Sequence, residues 1–493
     1  MKKSILFFLF IPYLCFSQNR NSVWVFGDSA GIDFSNLSNP IPFSSGMDGR
    51  GSCASIADTN GALLFSAFTN ATSDWSTLVK TSIHSNMLNG DLITGAAWYN
   101  ELVIVPRDSN KYFLVSYGSD VPNNEGLYYS IVEMNLNSGL GAVTIKNIQI
   151  NPNRIADCIT AVKHGNGRDW WVIAKLSDAS ISFHNRFFKY LITEDSIIDY
   201  SFQDFNDARD GDAQKIIWNS SYDKFMNINV GGYMSEFGFD RCDGSISLIR
   251  NIFTEQSSNY NRLFWDGAYS PSGNVFYVST KFWFGVDSIY LLQLDLNSAN
   301  IQGTMDTLDL ALPPVHNAAV RLAPDNKIYF TRWYLCNSPQ FYCFPYPDSV
   351  RNIYNENLSV VNSPDSLGSA CNFQSYSFYL GGKRTYLGLP NNPKYDLGTL
   401  QGSSCDTLSV NIITYSKQNN IIAFPNPFKD KIKFDYGDRS NFNISINDVT
   451  GKSVFVTVRQ DKSEIDLSFL QDGFYIVTLT TDKGIYQTKI IKQ

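Results

Sequence analysis

A chain of 493 residues is long enough for two or three domains around substantial cores. Its net charge of −7, with only 17% charged residues and no basic run, counts against nucleic acid and anionic membrane surfaces as partners. Aromatics at 14%, with abundant Asn, Ser, Thr and Gly, match an exported all-β protein rich in strand formers and turns.

Residues 1–18, MKKSILFFLFIPYLCFSQ, predict a secretory signal peptide. Lys2 and Lys3 form its basic start, Ser4 to Phe16 its apolar stretch, and Ser17 and Gln18 its cleavage region. That run is too short to span a bilayer, and no later run approaches the ~18 apolar residues a spanning helix needs, so no transmembrane segment is expected. Cys15 lacks the small preceding residues of a lipidation site.

From Ser22 onward, short apolar or alternating runs bounded by Gly, Asn, Asp, Pro and Ser replace any helical period, which is the pattern of strands. Seven similar phrases recur, each a small residue, a strand, a turn with Asn, Asp or Gly, and a second strand. They begin at Ala54, Asn100, Cys158, Ala213, Asp266, Ala318 and Cys371, roughly fifty residues apart. One four-stranded blade cannot bury both its faces, whereas blades stacked around an axis can. The period therefore predicts a seven-bladed β-propeller over residues 19–390, with the strand at Ser22–Gly27 joining the last blade to close the ring. A pair of β-sandwiches leaves the period unexplained.

Four stretches of this region carry a resemblance: WVFGDSAGIDF (Trp24–Phe34), CASIADTNGALLF, RLAPDNKIYF and YLGLPNN. They are similar to a family of large Bacteroidetes surface proteins with a WD40-like β-propeller region. The resemblance covers most of residues 22–410 and implies a location and a fold class, but no reaction.

Residues 391–420, rich in Pro, Asn, Gly and Ser, read as a linker. Residues 421–493 read as a small β-sandwich of short strands between turn signals. Pro425 and Pro427 block strand continuation, and Gly451 and Gly473 fall where tight turns are needed. The motif residues Pro425, Asn426 and Pro427, the turn Thr450, Gly451, Lys452, the strand start Gly473 and Tyr475, and Lys489 near the end resemble the C-terminal sorting domain of type IX secretion cargo in Bacteroidetes. The resemblance implies export across the outer membrane to the cell surface or medium, with the secretion machinery as a partner.

Few residues suggest chemistry. Seven cysteines remain after signal removal, an odd number. Cys336 with Cys343 is the expected disulfide, and Cys371 with Cys405 a second; Cys53, Cys158 and Cys242 read as small buried hydrophobes. Gly27–Gly31 fits the G-x-S-x-G nucleophile pattern, but two prolines and no helical period follow, so it reads as a hairpin turn. His84, His164, His184 and His316 are not at metal-ligand spacing, and His164 reads as a solvated turn residue. Asp204, Asp207, Asp210 and Asp212 partly match the oxygen-rich loop calcium requires, although Arg209 intrudes. The tryptophans at 170, 171, 218, 265, 283 and 333 suit packing between blades, or sugar binding if exposed. No catalytic residue is assigned and no cofactor beyond calcium is suggested. The expected function is a secreted or surface-displayed, non-catalytic binding or adhesion module for a glycan or surface-protein ligand. The alternative is an extracellular hydrolase or lyase that degrades polysaccharide, with acids meeting in the central channel.

Overall fold

The computed structural model describes residues 19–493 except 71–75, 96–99, 119–124, 178–184, 195–196, 206–212, 256–262, 281–288, 313, 335–344, 407–421, 436–441, 450–451, 460–463 and 482–483. The chain divides into two compact units, residues 1–409 and 410–493.

The first unit is a β-propeller. β1 (Val23–Phe26) and β2 (Asp28–Asp33) form a hairpin, and β2 pairs with the first half of β3 (Ile41–Ala57). From Gly49 on, β3 changes partner and pairs with β4 (Leu63–Asn70), followed by β5 (Thr77–Thr81). One long strand thus links two layers into a single five-stranded sheet. Five four-stranded antiparallel sheets follow. They are β6 (Leu102–Pro106), β7 (Lys111–Gly118), β8 (Gly126–Glu133) and β9 (Ala142–Asn151); then β10 (Thr160–Lys163), β11 (Trp170–Lys175), β12 (Asn185–Ile192) and β13 (Ile197–Phe205). Next come β14 (Gln214–Trp218), β15 (Lys224–Asn229), β16 (Met234–Phe239) and β17 (Ile246–Phe253); then β18 (Phe264–Tyr269), β19 (Val275–Thr280), β20 (Ile289–Asp295) and β21 (Asp306–Ala311). The last is β22 (Val315–Leu322), β23 (Ile328–Tyr334), β24 (Asn357–Val361) and β25 (Phe373–Tyr379). The first recurrent phrase supplies the β3–β4 hairpin, the next five each supply the opening hairpin of a four-stranded sheet, and the seventh supplies β25 and the residues after it.

Contacts between first strands carry the ring from one layer to the next. Glu101 N donates to Ser52 Oγ, Ile159 N to Asn100 O, Lys215 Nζ to Asp157 O, and Val320 N to an Asp266 carboxyl oxygen. Lys215 also lies 5.7 Å from the Trp265 ring centroid, joining β14 to β18. A closing segment, residues 384–389, takes the seventh place: Ala319 N donates to Leu387 O, and Leu387 N to Arg50 O. Arg384 ties this segment to the amino-terminal layer. Its backbone exchanges hydrogen bonds with Asp28, and its guanidinium holds the Asp28 carboxylate at 2.6 Å. The ring is thus closed by both ends of the domain.

Between layers the packing is apolar and aromatic. Trp24, Phe34 and Tyr329 meet edge to face, with centroids 5.1–6.0 Å apart, the geometry favoured by opposed ring quadrupoles. They lie in a cluster that also holds Phe26, Cys53, Ala57, Leu358 and Tyr386, so the β1–β2 layer packs against β3 on one side and the β22–β25 sheet on the other.

The second unit contains two antiparallel sheets. One comprises β26 (Ile422–Phe424), β27 (Lys431–Asp435) and β30 (Ile465–Asp466); the other β28 (Phe442–Asp448), β29 (Ser453–Arg459), β31 (Gly473–Thr481) and β32 (Gly484–Lys492), in the order β29-β28-β31-β32. Ile432, Phe434 and Ile465 from the first share a buried core with Ile444, Ile446, Val477, Leu479 and Ile490 from the second. This is the small sandwich the alternating pattern predicts. Among the described residues no helix is long and apolar enough to cross a membrane.

Candidate functional site

The inner strands carry buried charge at the centre of the ring. Lys215 donates to the Asp157 carboxylate at 2.7 Å, and Arg321 grips Asp266 through both carboxyl oxygens at 2.9 and 3.0 Å. A second Arg321 nitrogen donates to Asn100 Oδ1 at 2.7 Å. Glu101, fully buried, lies beside this set. Burial, then the charge of Asp157, raises its pKa well above the usual carboxylate range, with Ser52 and Lys215 opposing. Burial also raises Asp157, to about 6, against the pull of Lys215. Of the two carboxyls, Glu101 has no cation bound to it as Lys215 is bound to Asp157, so burial favours its neutral form.

The sign of the resulting pH dependence follows from linkage. Above pH ~4.3 the unfolded chain releases a proton that the fold retains, so this contribution to stability falls as pH rises toward the folded pKa. Glu101→Gln keeps the shape and removes the titration. Unfolding free energies from urea titrations at pH 5 to 9 are expected to decline less steeply in the variant, by at most about 1.4 kcal/mol per pH unit. Parallel curves would show that Glu101 is ionised in the fold.

On one side of this set lies a cavity of about 470 Å³, a volume typical of small-ligand sites. Its lining comes from the amino-terminal residues 19–24, from β10, β14, β18 and β22, and from residues 390–396. The half-buried Trp218 and Tyr222 supply aromatic surface, backed by the buried rings of Trp24, Phe34 and Tyr269; Asn19 and Asn326 supply exposed amides, while Asn21, Asn219, Asn391 and Asn392 hydrogen-bond within the protein. The lining charges are Arg321, committed to Asp266 and Asn100, Lys394, which donates to Ser220 O at 3.1 Å, and Asp396. Asn21 Oδ1 and Ser220 Oγ are buried without a hydrogen-bond partner among the described residues.

Residues 391–406, which composition assigns to a linker, form a strap bound to the propeller. Asn391 Nδ2 donates to Leu102 O and Ile159 O, the Tyr395 hydroxyl to Ile104 O, Lys163 to Tyr395 O and Arg241 to Gly398 O. The strap ends at a disulfide between Cys242 and Cys405. This corrects two sequence expectations: Cys405 does not pair with Cys371, which is a buried free thiol, and Cys242 is not a free buried residue. His164 is likewise not a solvated turn residue. It is 8% exposed, its Nε2 donates to Cys242 O at 2.7 Å, and its Nδ1 accepts from Asn166 N.

The other expected sites fall as follows. Cys336 and Cys343 lie outside the described residues, as do Asp207, Asp210, Asp212, His184 and Trp283. Asp204 lies in β13, where Arg186 holds it bidentately at 2.7 Å. Among the described residues no group of three or more His, Cys, Asp or Glu is arranged to hold a metal ion. Gly27–Gly31 is the β1–β2 hairpin, with a strand where a nucleophile elbow needs a helix. Trp170, Trp171 and Trp333 are buried, while Trp218 and Trp265 are half-buried.

In the second unit, the side chain of Asn426 pins the first turn to the last strand. Its Nδ2 donates to Lys489 O and its Oδ1 accepts from Ile491 N, both at 2.9 Å. Residues 422–493 match the family described as "Secretion system C-terminal sorting domain". The C-terminal unit is a type IX sorting domain. It marks this chain as exported cargo, bound for the cell surface or the extracellular space, and implies contact with the secretion machinery.

Within the sorting domain, Asn426 and Lys489 meet as described, with Pro425 and Pro427 flanking the asparagine. Gly473 opens β31, and the buried Tyr475 donates its hydroxyl to Gln471 O at 2.8 Å. Lys489 Nζ stands 4.1 Å from the Phe474 ring centroid. Lys452 N donates to Asp448, closing the turn in which Thr450 and Gly451 lie outside the described residues.

No curated protein matches the chain. Solved structures similar to it include TolB from Acinetobacter baumannii, at 11% identity and a TM-score of 0.32, over 75% of this chain and 66% of that one. The periplasmic gluconolactonase PpgL of Pseudomonas aeruginosa aligns at 9% identity and 0.35, over 79% and 93%. The β-propeller domain of Cps50 (Swd1) from Myceliophteria thermophila aligns at 9% and 0.34, over 63% and 92%. No activity is carried over from any of them.

Proposed function

We propose that this exported propeller is a non-catalytic binding module, with the axial cavity as its ligand site. Residues 1–18 would direct entry into the export route, and the sorting domain would complete delivery. The observation that supports the reading is the cavity's lining: the half-buried Trp218 and Tyr222 rings, the exposed amides of Asn19 and Asn326, and cations already hydrogen-bonded within the protein. Amides both donate and accept, and ring faces offer apolar contact, so the site suits recognition of a polar, uncharged surface. The hydrolase or lyase alternative would need acids facing the ligand. Asp157 and Asp266 are instead committed to Lys215 and Arg321, and among the described lining residues Asp396 alone is an acid.

The test is an array of oligosaccharides, polysaccharides and peptides, probed with the full secreted chain and scored for both retention and turnover. Retention without product is expected. Release of product would overturn the non-catalytic reading and direct attention to Asp396 and Glu101.

A further inference from the structure

Five blades turn from their first strand to their second in the same way. The fourth residue of the turn donates its N–H to the carbonyl of the first and adopts a left-handed backbone. This holds for Gly61 (φ 94°), Gly167 (φ 74°), Gly273 (φ 76°) and Asn326 (φ 61°). Glycine and asparagine are the residues that tolerate this conformation. In the β14–β15 turn the same place is held by Tyr222, at φ 57°, with its N–H bonded to Asn219 O at 3.1 Å. A bulky residue is strained there and persists only where its surroundings hold it. Tyr222 lines the axial cavity and stacks on Trp218, with centroids 5.5 Å apart and planes 16° from parallel.

We infer that Tyr222 is a specificity-determining residue, completing with Trp218 an aromatic platform that selects an uncharged saccharide. This rests on the binding reading proposed above. The Trp218 ring is fixed by the hydrogen bond from its Nε1 to Thr160 Oγ1, at 2.9 Å, so the pair is preorganised. Sugar rings present apolar C–H faces that pack on aromatic planes, and their hydroxyls need partners that accept as well as donate. The exposed side-chain amides of Asn19 and Asn326, both in the cavity lining, offer both. Among the described lining residues, Arg321 is paired with Asp266 and Lys394 donates to Ser220 O, so neither cation is aimed at a ligand. The competing account is that Tyr222 merely holds the strap, since the Lys394 backbone hydrogen-bonds its hydroxyl.

Two variants of the full chain separate these accounts. Tyr222→Gly installs the residue found in corresponding turns, and Tyr222→Phe keeps the ring without the hydroxyl. The probes are neutral gluco-, manno- and xylo-oligosaccharides, anionic uronate oligosaccharides and peptides. The parent is expected to retain neutral sugars. Tyr222→Gly is expected to weaken that retention about tenfold or more, with a thermal midpoint within about 4 °C of the parent because relief of backbone strain offsets lost stacking. Tyr222→Phe is expected to bind like the parent. Equal loss in both variants would make Tyr222 a strap latch, and unchanged binding in Tyr222→Gly would remove it from the site; either overturns the inference and leaves the binding reading standing. Retention of only peptides or uronates would also overturn it while preserving that reading. Retention of nothing would overturn both.

Discussion

Gly388→Ala is expected to leave little closed propeller, with a loss above about 4 kcal/mol. A β-carbon at Gly388 would stand 1.8 Å from the Gly51 carbonyl oxygen and 2.6 Å from its carbon. Both are backbone atoms, so no rotamer change relieves the clash. The neighbouring residues make the bond from Leu387 N to Arg50 O, the link joining the closing segment to β3. Moving either strand breaks that link and exposes the apolar faces it brings together. Urea unfolding and gel filtration are the measurements. Gly398→Ala is the control, since no atom lies within 4 Å of its added carbon. Arg384→Ala, which leaves Asp28 without its partner, is expected to lose about 3 kcal/mol. A Gly388→Ala variant as stable as the parent would mean the ring does not close at this contact.

Removing the Cys242–Cys405 disulfide is the second large effect. The bridge spans 163 residues of sequence, and its loss is expected to cost about 2–4 kcal/mol. It fastens the end of a strap whose beginning forms cavity wall. Cys405→Ser should therefore expose residues 397–406 to protease while the blades stay closed through Leu387. Gly165 shows how closely the bridge is packed: a β-carbon there would lie 2.3 Å from Cys405 Sγ. Limited proteolysis with mass mapping reads the outcome. Cys371→Ser should leave Cys405 oxidised, and loss of the bridge in that variant would restore the Cys371 pairing.

What was legible in the sequence was local. Turns such as Ser270–Asn274 and Ala323–Lys327 declare themselves through Pro, Gly and Asn, and they phase the strands on either side. The same locality makes the β26–β32 sandwich readable. The strap was not legible, because its bonds run from isolated side chains such as Asn391 and Tyr395 to distant carbonyls and leave no period in the text. Its Pro, Asn and Gly content has the look of a linker. The Cys242–Cys405 pairing depends on ring geometry that no spacing rule reports. The buried charges sit singly in apolar phrases, as Lys215 does in AQKIIW, and only closure of the ring brings them together. Tyr222 is legible in the sequence: setting NSSYDK beneath SPSGNV and APDNKI places a tyrosine under glycine and asparagine.

The most direct test is a crystal structure of the full secreted chain soaked with the strongest array binder. The predicted result is an intact ligand in the axial cavity, against Trp218 and Tyr222 and within hydrogen-bonding reach of Asn19 and Asn326. A ligand held elsewhere on the blades, or a cleaved product in the cavity, would contradict it.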